Sequence, residues 1–369
     1  MDKAQERTVK HQKVAEYLTA HKLDGVVLAK RWNFSWYTCG GHNHVALATE
    51  NGAAWLLVTR EGARLVTTNI EAARHRGEEF PGGQMEVLEF PYHDPPQAAG
   101  VFRRLAGGLK LAADAPVPGL DLPALTGEFD RLRWRLTESE MQRYRLLATD
   151  TVAALEKAAH AARPGQTENE LAGAVAAELY GRNCNFWAIF VGADDRILKY
   201  RHPLPTATKV RKYFMLIACA ERDGLILSST RLASFAPLGE ELAARHEAVA
   251  MVDAALIGAT RPGAKLRDIY RQGQDAYAAA KVPDEWRLHH QGGPCGYQAR
   301  DVIANPTVEA EALADQAFAW NPSITGTKSE DTILCRQTGP EIMGMSDDWP
   351  VIQAEWKGQT FPRGQILVL

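Results

Sequence analysis

Cysteine is scarce: five residues in 369, an odd number, at Cys39, Cys184, Cys219, Cys295 and Cys335, with no Cys-x-x-Cys pair. This argues against a disulfide framework or a thiolate zinc site, and fits free thiols in a reducing cytoplasm, the expected location. Long apolar runs are also missing. No stretch of about 18 apolar residues occurs, so no membrane span is expected. The amino-terminal Met1-Asp2-Lys3-Ala4-Gln5-Glu6-Arg7 is polar and lacks the apolar segment of a secretory signal. Charge of one sign is not in excess either. The formal net charge is −3, and no basic run carries interleaved aromatics, so neither nucleic acid nor an anionic membrane is an expected partner. The glycines Gly292, Gly293 and Gly296 lack the G-x-x-x-x-G-K-[ST] pattern of a phosphate cradle. What is present is an ordinary globular composition, 46% hydrophobic and 24% charged, in a chain long enough for two domains with their own cores.

Val9, Val14 and Leu18 have helical spacing over 8–21. A turn at Asp24-Gly25 leads into the apolar run Val26-Val27-Leu28-Ala29, and 53–58 and 62–66 read as two more strands, giving an α/β opening domain. Proline and glycine at 115–123 mark loop. Thr137, followed three residues later by Glu140, forms a capping-box pattern that starts a helix. The domain boundary is placed near residue 136, giving domains 1–136 and 137–369. The second half carries an approximate repeat: an alanine-rich helical segment runs into Arg163-Pro164-Gly165, and another into Arg261-Pro262-Gly263, each followed by an amphipathic segment. Two matching halves predict a pseudo-twofold. Between them, 214–220 and 225–231 flank Asp223-Gly224, a strand–turn–strand hairpin apolar enough to lie mid-sheet. A later strand pair is expected at 317–322 and 331–335. The second domain is therefore α+β, with helices packed outside an antiparallel sheet.

In this order, several segments resemble the pita-bread clan of methionine aminopeptidases, aminopeptidase P, prolidase and creatinase. They are Trp32 to Gly40, Arg163-Pro164-Gly165-Gln166-Thr167-Glu168, Gly192 through His202-Pro203-Leu204-Pro205, the Asp-Gly hairpin with Ser229-Thr230-Arg231, His290-Gln291-Gly292-Gly293, Trp320-Asn321-Pro322 and Ser329-Glu330-Asp331. The resemblance spans nearly the whole chain and implies a pita-bread domain behind a smaller creatinase/prolidase-type α/β domain, and a homodimer. His42 and His44 are spaced to share a strand face in a segment near which relatives reach a neighbouring subunit.

The clan's metal ligands are two Asp, one His and two Glu. Their positions fall on Ala218, Ser228, His290, Asn321 and Glu330, so three carboxylates are missing. A pair of divalent cations needs several anionic ligands converging on one point. No metal and no other cofactor is therefore expected. Asp331 should face away from Glu330 by strand alternation, and Asp223 should cap its own turn. The resemblance then implies a metal-independent, creatinase-like hydrolase of a small C–N substrate. His202 would transfer protons, while His290 and Glu330 orient the substrate and Glu330 anchors a cationic group. His289, Tyr297, Arg300 and Asn321 are the candidate substrate-binding residues. Two alternatives stand beside this: a non-catalytic protein that binds a small or dipeptide-like ligand, and an Xaa-Pro dipeptidase or aminopeptidase with a recruited ligand set.

Overall fold

The computed structural model describes residues 2–369, and these divide into two compact units, one ending at Arg133 and the other beginning at Trp134. The first unit is a five-stranded sheet in the order Glu86–Phe90, Ala63–Thr68, Asn51–Thr59, Gly25–Lys30, Leu111–Ala113. Its core is built from residues such as Val27, Val66, Phe90 and Phe102. The helix Lys3–Ala20 opens it behind an Asp2 capping box. His42 and His44 do not lie on a strand. They sit in an irregular segment with their rings 5.2 Å apart, edge to face.

The second unit holds an eight-stranded sheet. Its main path runs Asn185–Ala193, Tyr213–Arg222, Leu225–Ser234, Asp331–Arg336, Gln316–Trp320, Gly292–Cys295. The order is symmetric about the central pair: each half contributes an outer strand followed by a hairpin. Each half is also preceded by two helices, Glu138–Ala161 with Glu168–Gly181, and Glu240–Ala259 with Leu266–Ala279. The junctions between these helices match in detail. The Arg163 guanidinium donates to the Ala162 carbonyl and that of Arg261 to the Thr260 carbonyl, satisfying a helix-end acceptor each time. Gly165 and Gly263 both take positive φ, 90° and 85°. The predicted repeat is thus a structural one, and the fold is the mixed α/β arrangement of a pita-bread domain behind an α/β unit.

The first hairpin turns at Asp223 (φ 54°) and Gly224 (φ 77°), which a two-residue primed turn requires. Its Gly224 N–H is met by the Glu221 carboxylate at 2.7 Å, so Glu221 caps the turn expected to be capped by Asp223. The hairpin lies mid-sheet, and every residue of Leu225–Ser234 is buried. The second hairpin keeps one register from Gln316↔Cys335 through Trp320↔Asp331 to Ile324↔Thr327. Asn321 therefore stands opposite Glu330, and Ser323 opposite Lys328. Side chains alternate along a strand, so this register decides which residues share a face.

Candidate functional site

Trp320, Ile324 and Ile333 face the helices and join a core with Val252, Leu256 and Ile269. Asp331 and Ser329 share that outer face. Asp331 binds Arg231 at 2.9 Å and Arg363 at 3.0 Å, while the Ser329 hydroxyl donates to Asp253 at 2.6 Å. Arg231 also holds Glu156 at 3.0 Å. Asp331 thus points away from Glu330, as alternation requires. The inner face carries Lys328, Glu330, Asn321 and Ser323, joined by Ser228 and Thr230 from the neighbouring strand.

Glu330 is fully engaged. Lys328 Nζ lies 2.7 Å from Oε2, the Thr230 hydroxyl donates to the same oxygen at 2.7 Å, and Arg300 Nη2 reaches Oε1 at 3.1 Å. Arg300 Nη1 also donates to the Ser228 hydroxyl at 3.3 Å. Burial pushes the Glu330 carboxyl up, but Lys328 and Arg300 outweigh it and hold it at about 2. Both its oxygens are taken by the protein's own cations, so the carboxylate expected to anchor a cationic ligand is already neutralised from within.

Three imidazoles stand beside this group. His202 is exposed on the loop after the short helix Asp195–Lys199. His289 and His290 immediately precede the strand Gly292–Cys295. The Nε2 atoms of His202 and His289 are 3.2 Å apart, and His289 Nδ1 lies 3.2 Å from the Ser323 hydroxyl. Gly292 makes this geometry available. At φ 92°, a Cβ there would overlap the Ala319 carbonyl and press on Asn321 Oδ1. All three imidazoles are held below their ordinary value. Burial is the first cause in each case, and the Lys328 and Arg300 charges add to it for His202 and His290, with His290 at about 4. Burial and then Lys328 depress His289 furthest. At neutral pH the three rings are uncharged.

The structure thus brings together His202, His289, His290, Arg300, Asn321 and Glu330. It does not bring Tyr297 to them: that buried hydroxyl donates to Glu140 Oε1 at 2.7 Å, near the start of the helix Glu138–Ala161. The first carboxylate position is also corrected. Ala218 pairs with Ser229, whose hydroxyl donates to Asp331 on the outer face. The residues opposite Thr230 and Ser228, and therefore on the inner face, are Ile217 and Cys219. Neither is a carboxylate, and burial raises the Cys219 thiol further from ionisation. The sequence reading missed Lys328. Its signal was available, because Lys328 lies two residues from Glu330 and strand alternation puts both on one face.

For a pair of divalent ions, this inner face offers Ile217 or Cys219, Ser228, His290, Asn321 and one carboxylate already bound to two cations. That donor set does not fit two dications. One imidazole nitrogen each from His202, His289 and His290 lie within 4.8 Å of one another, close enough to hold a single ion. Lys328 and Arg300 oppose a cation there as they oppose protonation.

Residues 142–337, more than half of the chain, match the family model of metallopeptidase family M24. Comparison with curated protein sequences gave no match. Among solved structures, the Xaa-Pro dipeptidase from Bacillus anthracis is 15% identical with a TM-score of 0.77, covering 98% of this chain and 100% of that one. The X-Pro aminopeptidase from Thermotoga maritima is 13% identical with a TM-score of 0.77, covering 97% and 99%. The N-terminal domain of FACT complex subunit SPT16 from chickpea, Cicer arietinum, is 11% identical with a TM-score of 0.70, covering 93% and 96%. At such identities the likeness concerns the fold alone. No helix among the described residues is long and apolar enough to cross a membrane.

Proposed function

The chain belongs to metallopeptidase family M24, and from that premise we propose that it hydrolyses a C–N bond in a small substrate without a metal pair, with His202 as the proton-transfer group. The observation that carries this reading is the Lys328 ammonium, 2.7 Å from Glu330 on the inner face. A fixed cation beside the clan's retained carboxylate supplies positive charge where a metal pair would otherwise supply it, and leaves no carboxylate free to ligate one.

His202 supports the proton transfer. When Ser323 accepts from His289 Nδ1–H, His289 Nε2 accepts from His202 Nε2–H, and His202 Nδ1 keeps its lone pair. A water attacking the substrate carbon then gives its proton to that nitrogen. The imidazolium so formed is disfavoured by Lys328 and Arg300, so it passes the proton to the leaving nitrogen as the C–N bond breaks. The two cations stabilise the negative charge that develops on the attacked group.

The test is turnover of small amides, ureas and dipeptides by wild type and His202→Ala, with and without chelator, alongside metal analysis. Activity lost in the variant by about 10²–10⁴-fold and indifferent to chelation supports the reading. Stoichiometric divalent metal with chelator-sensitive activity overturns it and favours a peptidase in which the three histidines are the recruited ligands. A second reading has one observation of its own. Both oxygens of Glu330 are engaged, which leaves it unable to activate water, and this suits a ligand-binding protein without turnover. Ligand-induced stabilisation without hydrolysis of any substrate would establish that alternative.

A further inference from the structure

Outside the groups already assigned, one carboxylate fastens three segments that meet at the histidines. Glu285 opens the short helix Glu285–Leu288, which leads directly into His289 and His290. Its Oε2 lies 2.8 Å from Arg201 Nη2 and accepts the Thr325 N–H at 3.0 Å. Its Oε1 accepts the Thr325 hydroxyl at 2.8 Å, and that hydroxyl accepts in turn from Arg201 Nη2 at 2.9 Å. The Thr325 carbonyl is taken by Arg245 Nη1 at 2.8 Å, from the helix Glu240–Ala259. Every polar group of Thr325, backbone and side chain, is thus engaged. Arg201 is 16% exposed and Glu285 19%, so this ion pair is largely shielded from the solvent screening that weakens a surface pair.

Arg201 immediately precedes His202, on a loop of the domain's first half, whereas Glu285 and Thr325 belong to the second half. Thr325 sits in the turn of the small hairpin that pairs Ser323 with Lys328 and Ile324 with Thr327. It is two residues from Ser323, whose hydroxyl meets His289 Nδ1 at 3.2 Å. The turn also closes on the segment leading to His202, for a Cβ on Gly326 would come within 2.9 Å of Leu198 Cδ2. The series Ser323, His289, His202 therefore hangs from Glu285 at each member: through Thr325, through the helix that Glu285 opens, and through Arg201. An exposed side chain on an untethered loop exchanges rotamers rapidly. We propose that Glu285 is a positioning residue, whose carboxylate holds His202 against His289 so that His202 Nε2 stays engaged and Nδ1 stays open for proton transfer. It acts across the two halves of the domain, through Arg201 on one side and Thr325 on the other.

The use made of Nδ1 rests on the hydrolase reading, so the ring is measured apart from turnover. Histidine ring-nitrogen chemical shifts are recorded on the full chain at neutral pH, in wild type, Glu285→Gln, Arg201→Met and the double variant, with His202→Ala assigning the His202 signals. A held ring keeps its proton on one nitrogen, so wild type is expected to show two well-separated His202 shifts. Either single variant is expected to draw them together, toward the average of a freely exchanging imidazole. In turnover of acetamide, methylurea and glycylglycine, each single variant is expected to lose about 10–100-fold in kcat with KM changed less than about threefold, because a displaced proton-transfer group lowers rate rather than affinity. The double variant is expected to match the singles within about threefold, since all three break one clamp. Arg201→Met, a loop substitution, carries the test even if Glu285→Gln fails to fold. Unchanged His202 shifts in the variants overturn the inference, and so does a change in Glu285→Gln alone, which means that the carboxylate serves only its own helix. Altered shifts with turnover that survives His202→Ala overturn the hydrolase reading instead and leave the positioning standing.

Discussion

Glu330→Gln is the substitution that best tests the electrostatics of the inner face. The carboxylate sits between Lys328 and Arg300 and accepts the Thr230 hydroxyl, and it is 3% exposed. Its fall from an ordinary 4.5 to about 2 corresponds to about 3 kcal/mol of stabilisation. Removing one partner of a buried ion pair independently predicts a loss of about 3–5 kcal/mol, because the other charge is left buried and uncompensated. The two routes agree, so Glu330→Gln should lower the unfolding free energy by about 3–5 kcal/mol. Adding Lys328→Met should recover roughly half of that, since one stranded cation is then gone. The assay is denaturant unfolding followed by circular dichroism across pH. In the wild type the folded carboxyl ionises below its unfolded counterpart, so its stabilisation is complete above about pH 4.5 and lost as pH falls toward about 2. The variant should lack that acid limb. A loss below about 1 kcal/mol, the range of an exposed pair, would refute the reasoning.

Two other perturbations follow from single residues. His246 is buried, lying 2.7 Å from the Thr327 hydroxyl and 2.9 Å from the Gly364 carbonyl, and burial holds its imidazole at about 4. Its folded value lies below the unfolded one, so protons bind the unfolded chain preferentially between about pH 6.5 and 4. Stability should fall by about 3 kcal/mol over that window as pH drops, and His246→Gln should flatten the slope; an unchanged slope in pH-dependent unfolding rules this out. Gly292→Ala forces a Cβ onto the Ala319 carbonyl at a positive φ. It should cost more than about 2 kcal/mol and weaken ligand binding through the displaced His290, whereas a wild-type melting temperature would mean the strand yields freely.

Features set by local chemistry could be read from the sequence. Thr137 and Glu140 form the capping box that their spacing announced, with Glu140 N donating to the Thr137 hydroxyl at 3.2 Å. Asp223-Gly224 turns because both residues tolerate positive φ. The two Arg-Pro-Gly triplets marked equivalent helix ends. Register was harder. Placing the first carboxylate position on Ala218 was wrong by one residue, and in a strand one residue reverses the face. Only the pairing of Ile217 with Thr230 shows which side chains look inward. Tyr297 misled for a related reason. It is close to His290 in sequence, but Gly292, Gly293 and Gly296 all take positive φ, and strand alternation does not carry through such a backbone.

Lys328, Ser329, Glu330 and Asp331 divide one short segment between the two faces of the sheet. Alternation assigns Lys328 and Glu330 to one face, and Ser329 and Asp331 to the other. The outer pair is fastened to Asp253, Arg231 and Arg363, a network that needs no ligand. Substitutions on the inner face therefore leave the strand where it was. The Lys328 ammonium meets a carboxylate whose position is already fixed from behind, so the ordering of Glu330 is not charged against this ion pair. The same fastening also makes the outer network a positioning element, since loosening Asp331 would shift Glu330, and with it Lys328, without touching any group on the ligand's side.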